Sequence, residues 1–398
     1  MANEDLFFDL LQVAIGTRNM LDRQPTSQEW ALLFDMSKKQ ALSAIAFAGL
    51  NRLKGDFFSK GDFGSSMGLD EMTYSTWLGV LAKEVQRNKE VSAACVELVK
   101  QFAHDGIQCC ILNGQGNLEY YPEELKECRT SGNIDVWCTY QDPLGLDIAV
   151  SDIDGKGAHY EKYHGKHAVI EYVKMLHRIA GTEPMEGVCY HHIDVPSENG
   201  VDVDVLFSPV FIHSPLRNHR LQEWFRLNEQ FGLHDAKIGD AVFPVPTVSF
   251  NAVYQLCHIY RHLFDEGIVL RELLDYYFIL RVLHIEQGSL SERTSSMSQW
   301  AEGMGIAVRS KEEILHTLSS FGMRKFAGAV MYVLQTVFAM PDVYLLCSPN
   351  EREGMFLLNE IMQTGNFGKH NLRLLTHYPE EVFWEPFSRV YHWAWRKF

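Results

Sequence analysis

A change of hydrophobic period along the chain limits its fold more than any other feature. From residue 1 to 105, apolar residues recur three and four apart, as in segments 40–53 and 72–104. That spacing predicts amphipathic helices. Thr26-Ser27-Gln28-Glu29 ahead of an apolar run reads as a helix start capped by Thr26. From 106 to 245 the runs shorten. Residues 108–112, 134–140, 189–195 and 201–207 are rich in β-branched, aromatic and small apolar residues and read as strands. Pro-Ser-Glu-Asn-Gly joins the last two as a hairpin-type connection, and residues 158–180 read as one long helix ended by Gly181. From 246 to 398 the helical period returns in segments 249–264 and 269–285, joined at Asp265-Glu266-Gly267. The expectation is an α+β fold, with a small mixed-sheet core at 106–245 between helical regions at 1–105 and 246–398.

Composition excludes several classes. The 398 residues carry 36 Lys plus Arg against 51 Asp plus Glu, a formal charge of −15. Such a surface disfavours a long nucleic acid as partner, though a local pocket for a small phosphate ligand remains open. The eight cysteines form no CxxC pair, which reads as a reducing, cytoplasmic compartment. The opening segment is acidic before it is apolar, and Asp9 interrupts what an export signal would need, so none is expected. The apolar run 326–340 contains Gln335 and is too short to span a bilayer, so it reads as a core helix. The stretch 55–68 is the clearest loop. The aromatic tail with Trp384, Trp393 and Trp395 is expected to dock on the body as core or to form a subunit contact, and a protein partner or homo-oligomer is left open for the chain as a whole.

Chemistry concentrates in residues 111–138. Gly114 and Gly116 follow a strand that ends at Leu112. Glycines there let the backbone approach a phosphate, and they equally suit a plain strand-to-helix turn. Asn133 and Asp135 are two apart on a strand and project to one face. Asp202 and Asp204 repeat that geometry in Val-Asp-Val-Asp-Val. Oxygen ligands on neighbouring strands suit a hard cation such as Mg²⁺; a half-buried strand with a solvated face is the plainer alternative.

Together these elements resemble the nucleotidyltransferase superfamily related to polymerase beta, and within it an uncharacterised bacterial nucleotidyltransferase family. Members of that family read Leu-Lys-Gly, a tyrosine-proline element, an arginine, then Gly-Asp-Ile-Asp. The matching positions here are Leu112-Asn113-Gly114, Tyr121-Pro122, Arg129 and Gly132-Asn133-Ile134-Asp135. The later acidic strand and the helical segment around Gly267-Ile268-Val269-Leu270-Arg271 extend the likeness over most of the chain. The resemblance implies Mg²⁺-dependent transfer of a nucleoside monophosphate from a nucleoside triphosphate to an acceptor that the sequence does not identify. Asn113, Gly114, Gln115, Gly116 and Arg129 would face the phosphates, Arg129 being equally suited to a solvated surface. Asn133, Asp135 and Asp204 would hold metal. Asp202 and Asp204 both qualify as the third carboxylate, with Asp204 favoured.

Two departures stand out. Asn133 replaces the family's first aspartate and Asn113 its lysine, so one negative and one positive charge are lost together. The first loss weakens a metal site. The pair fits either an impaired transferase or a catalytically degenerate module that binds a nucleotide or a partner. Finally, His258 and His262 lie four apart on one helical face, followed by Arg271 and Asp275. As zinc ligands the histidines lack a neighbouring third ligand. The resemblance turns His258, His262 and Arg271 toward substrate.

Overall fold

The computed structural model describes residues 2–57, 68–139, 146–150, 159–185, 187–196, 200–229, 233–292, 309–364 and 377–395. Residues 58–67 of the expected loop and 197–199 of the hairpin-type connection lie outside these. The chain opens with α1 (Ala2–Ile15), α2 (Ser27–Lys39), α3 (Ser43–Phe57) and α4 (Glu71–His104). Next come β1 (Gln108–Leu112), a 3-10 turn (Gly114–Tyr120), α5 (Glu123–Lys126), β2 (Ile134–Thr139), β3 (Leu146–Val150), β4 (His159–Tyr163) and α6 (Gly165–Ala180). The sheet region ends with β5 (His192–Val195), β6 (Val203–Leu206), α7 (Pro215–Asn228), β7 (Leu233–Ile238) and β8 (Ala241–Pro246). Helices α8 (Val248–Asp265), α9 (Leu270–Glu292), α10 (Lys311–Ser320), α11 (Arg324–Phe338), α12 (Glu351–Thr364) and α13 (Pro379–Trp395) complete it. The class is α+β, as the periodicity predicts.

Two compact units interleave along this order. The first comprises Met1–Lys89, Tyr120–Ser131 and Asn251–His377, and is helical. The expected cap on α2 forms in full. Thr26 Oγ1 accepts from the Glu29 N–H at 3.3 Å, and the Glu29 carboxylate accepts from the Thr26 N–H at 2.8 Å. Helices α1 and α3 touch at Gly49, where a Cβ would lie 2.5 Å from the Leu10 carbonyl oxygen. Gln40 ties three segments, donating to the Ile361 carbonyl at 3.0 Å and accepting from the Leu270 N–H at 2.9 Å. The apolar run at 326–340 is indeed a core helix, α11, with Phe326, Val330, Leu334 and Phe338 buried. No helix of the described residues is long and apolar enough to cross a membrane.

The second unit comprises Glu90–Glu119, Gly132–Phe250 and Tyr378–Phe398. Its centre is a four-stranded mixed sheet in the order β1-β2-β6-β5. Strand β2 is antiparallel to β1 and parallel to β6, and β5 is antiparallel to β6. Alternation sorts the side chains. Ile134, Val136, Val203, Val205 and Ile193 share a core with Val91, Cys95 and Phe102 of α4 and with Val169, Tyr172 and Val173 of α6. Burying each such large side chain is worth about 1.5–3 kcal/mol. A one-residue slip would turn that whole set outward, so the core locks the register of the other face.

The long helix expected at 158–180 is shorter than its sequence suggests. His159–Tyr163 is strand β4, paired antiparallel with β3, and only Gly165–Ala180 is helical. Gly165 at φ 54° turns the chain between them. Gly181 does end the helix, in the left-handed conformation at φ 66°. The aromatic tail, α13, docks by one face only. His392 stacks on Tyr190 with ring centroids 4.0 Å apart, while Phe383, Phe387, Tyr391 and Trp393 are exposed.

Candidate functional site

The registered heads of β2 and β6 bring two carboxylates together. Asp135 is the parallel partner of Asp204, and on the far side of β6 the antiparallel partner of Asp204 is Asp194. Register partners project to one face. Each of Asp135 and Asp204 is the second residue of its strand and is half-buried. Further along that face, Trp137 is covered by Phe250, stacked at 5.7 Å. One end of the face is therefore polar and accessible, and the rest is aromatic core.

Both asparagines of the sequence pattern point at these carboxylates. Asn133 Nδ2 donates to Asp135 Oδ1 at 3.1 Å and to Asp204 Oδ2 at 2.7 Å. Asn113 Nδ2 donates to Asp135 Oδ2 at 3.1 Å. One amide nitrogen thus sits between two carboxylates, each of which gains a neutral donor. Asn113 takes a left-handed φ of 47°, which asparagine tolerates better than most residues. Asp202 precedes β6 and is exposed; its backbone carbonyl accepts from the Ile134 N–H at 2.9 Å. Asp194 was not singled out in the sequence, although it stands on the same kind of alternating strand. It is buried, accepts from the Met185 N–H at 3.1 Å and lies 3.8 Å from His177 Nε2.

The glycine turn has a packing role of its own. Gly116 donates its N–H to the Asn113 carbonyl at 2.7 Å. A Cβ on Gly116 would sit 2.4 Å from the Ile111 carbonyl oxygen. Gly114 takes a left-handed φ of 44°. Gln115 is buried and donates to Ser92 Oγ on α4 at 2.8 Å. Asn113, Asn133, Asp135 and Asp204 therefore form one bonded group, with Gly114 next in sequence to it.

Arg129 lies in the first unit and is only 3% exposed. It grips Asp275 of α9 with two bonds, Nε to Oδ1 at 2.8 Å and Nη2 to Oδ2 at 2.7 Å. Tyr121 donates to the same carboxylate at 2.6 Å. Burial pushes the Tyr121 hydroxyl far above its ordinary pKa, and the adjacent Asp275 adds to this. Burial disfavours the Arg129 charge, but Asp275 more than compensates and holds it protonated. Thr130 continues the network, donating to Glu84 at 2.7 Å, and Asn88 donates to the Arg129 carbonyl at 2.9 Å. Tyr121 and Arg129 thus fasten the 120–131 segment to α9, while Thr130 and the Arg129 carbonyl fasten it to α4.

His258, His262 and Arg271 also belong to the first unit. His258 and His262 lie on α8 with ring centroids 4.0 Å apart. His262 Nδ1 pairs with Glu272 Oε1 of α9 at 2.5 Å. Burial pushes the His258 pKa well down, helped by His262, Arg261 and Arg271, so its imidazole is neutral. Burial opposes charge on His262, but Glu272 outweighs it and raises that pKa. Arg271 Nη1 reaches the Thr130 carbonyl at 3.4 Å, and burial and then Arg129 lower its pKa. Spacing alone did not find Glu272, because it lies across the α8–α9 turn.

The second unit thus carries a small mixed sheet with paired carboxylates at the strand heads, beside a glycine turn. A family model described as an uncharacterised nucleotidyltransferase matches residues 26–302. The chain belongs to that family. The matched span runs from the Thr26 cap through both acidic strands and α9. Membership sets the general kind of activity, nucleotidyl transfer, and implies a nucleotide substrate. Neither a curated protein nor a solved structure matches the chain.

Proposed function

We propose that the chain carries out Mg²⁺-dependent transfer of a nucleoside monophosphate from a nucleoside triphosphate to an acceptor hydroxyl, in the manner of the polymerase beta superfamily. The observation that carries this reading is the in-register pairing of Asp135 with Asp204 on the accessible end of the sheet. Two carboxylates, joined by the Asn133 amide oxygen once that amide turns over from its present bonds, make an all-oxygen donor set that suits a hard cation. Asp135, Asp204 and Asn133 would hold the ion, which when bound supplies neutralisation of the phosphate charge. Gly114 borders the triphosphate, with Asn113 in the place of the family's lysine, while the Gln115 side chain is turned inward to Ser92. Asp204 takes the acceptor proton as the new O–P bond forms at the α-phosphorus; the bond to pyrophosphate breaks and pyrophosphate leaves with the electron pair. Asp202, exposed at the head of β6, is the alternative carboxylate for that proton. In this reading Arg129 acts as scaffold, since its guanidinium is bonded to Asp275.

One observation favours a second reading, a module that binds a nucleotide without turnover. The Asn133 amide already bridges Asp135 and Asp204, so both carboxylates have donors without a cation. Calorimetry with the four ribonucleoside triphosphates, with and without Mg²⁺, tests the site, and Asp135→Ala is the control. Mg²⁺-dependent binding that the control loses supports the acidic pair as the site. Metal-dependent pyrophosphate release on adding acceptors then excludes the second reading. Binding equal in the control and the parent chain would remove Asp135 and Asp204 from the proposal.

A further inference from the structure

We propose that His258, His262 and Glu272 form a binding site for a divalent transition-metal ion of the Zn²⁺ class, separate from the acidic pair on β2 and β6. The three side chains each offer a ligand atom, and these atoms all lie within 4.8 Å of one another. Two imidazoles four residues apart on one helix, joined by a carboxylate from a neighbouring helix, make a two-nitrogen, one-oxygen donor set. That set suits Zn²⁺ or Co²⁺ and leaves a position open, whereas Mg²⁺ prefers oxygen alone.

The surroundings support ligation. The second oxygen of Glu272 accepts from the Val269 N–H at 3.2 Å, which fixes the carboxylate toward α8. Such an outer bond is what orients metal-ligating carboxylates. His258 and Glu272 are buried, while the His262 side chain is 17% exposed and marks the solvent edge. There Glu266, 57% exposed, places Oε2 3.7 Å from His262 Nε2. That nitrogen is the one turned away from Glu272, so Glu266 orients the imidazole from outside and water takes the fourth position. Nearby Arg261 bonds Asp265 at 3.2 Å and lies 3.6 Å from Glu266, so its charge is locally balanced. Arg271 is the remaining opposing charge, and its Nη1 is turned to the Thr130 carbonyl. Bonds of about 2.0–2.2 Å place tetrahedral ligands roughly 3.4 Å apart. The 2.5 Å pair between His262 and Glu272 must therefore open by about 1 Å to admit the ion.

The test uses the full chain stripped of metal, titrated with Zn²⁺ by calorimetry and with Co²⁺ by visible absorption. The expected result is one ion per chain, with the intense absorption of a four-coordinate Co²⁺ site and no displacement by excess Mg²⁺. His258→Ala should weaken Zn²⁺ binding about 100-fold or more, while Asp135→Asn should leave it unchanged. X-ray absorption of the Zn²⁺-loaded parent chain gives a reading that needs no variant. Imidazole and oxygen scattering supports the site; sulfur scattering would assign the ion to cysteine and overturn it. Absence of binding to the folded parent chain, or full affinity in a folded His258→Ala chain, would overturn it as well.

Discussion

Asn133 donates its amide to Asp204 across the β2–β6 boundary at 2.7 Å. The same nitrogen reaches Asp135 at 3.1 Å. A neutral donor thus relieves two neighbouring carboxylates that would otherwise repel each other. The bridge gives both in-register aspartates a shared donor. An aspartate at position 133 would add a third negative charge and remove the donor.

Asn133→Asp should therefore make the fold depend on metal. In chelator the variant should lose about 1 kcal/mol of stability, the worth of an exposed polar contact. Mg²⁺ should restore it, with affinity raised roughly tenfold by the added ligand charge. Thermal unfolding with chelator and with Mg²⁺, together with Mg²⁺ calorimetry, measures both. A variant as stable as the parent in chelator, with unchanged Mg²⁺ affinity, would show that the amide bridge does not stand in for a cation.

Gly116→Ala separates packing from ligand binding. The added Cβ meets the Ile111 carbonyl oxygen at 2.4 Å, and both atoms belong to backbone that the sheet holds. The strain should cost about 1–3 kcal/mol, as overpacking does. Urea unfolding without nucleotide reads it directly. Unchanged stability with lost nucleotide binding would instead make the glycine a phosphate contact.

Breaking the Arg129–Asp275 pair should be among the most damaging single changes. Asp275→Asn leaves a buried guanidinium without its counter-charge, which costs about 3–5 kcal/mol. Arg129→Lys keeps the charge but loses the two-bond grip, so it should recover only part of the stability. Denaturant unfolding, with amide exchange over residues 120–131, follows the loosening. Nucleotide binding lost at full stability would contradict the scaffold role.

These residues also show where sequence patterns stop. The Thr26 cap, the paired helices α8 and α9 and the core helix α11 are local, and capping chemistry and a repeating period reveal them. Strand β4 was hidden because its five residues abut a helix and carry polar side chains that fit either period. The carboxylate cluster depends on register, and Asn133 meets Asp204 across 71 residues of chain. Arg129 finds Asp275 146 residues away, so no window of sequence distinguishes it from a solvated arginine. Glu272 is ten residues from His262 yet equally hidden, because a turn between helices brings it back.

Acid should loosen the junction of α11 and α12 through Glu353. Burial by itself would raise this carboxyl, but His377 at 2.7 Å and Lys325 at 3.1 Å outweigh it and hold its pKa below the ordinary value. A carboxyl whose folded pKa is depressed binds fewer protons folded than unfolded. Its stabilising contribution is present above the unfolded pKa, 4.5 for a glutamate, and is lost as pH falls through the lower folded value. Glu353→Gln removes the titrating group. The parent chain should therefore lose more stability than the variant as pH falls below about 5, and the two should run parallel at higher pH. Urea midpoints measured across that range give the comparison. Parallel curves throughout would show that Glu353 carries no net ion-pair stabilisation, and that its contacts to His377 and Lys325 matter only as packing.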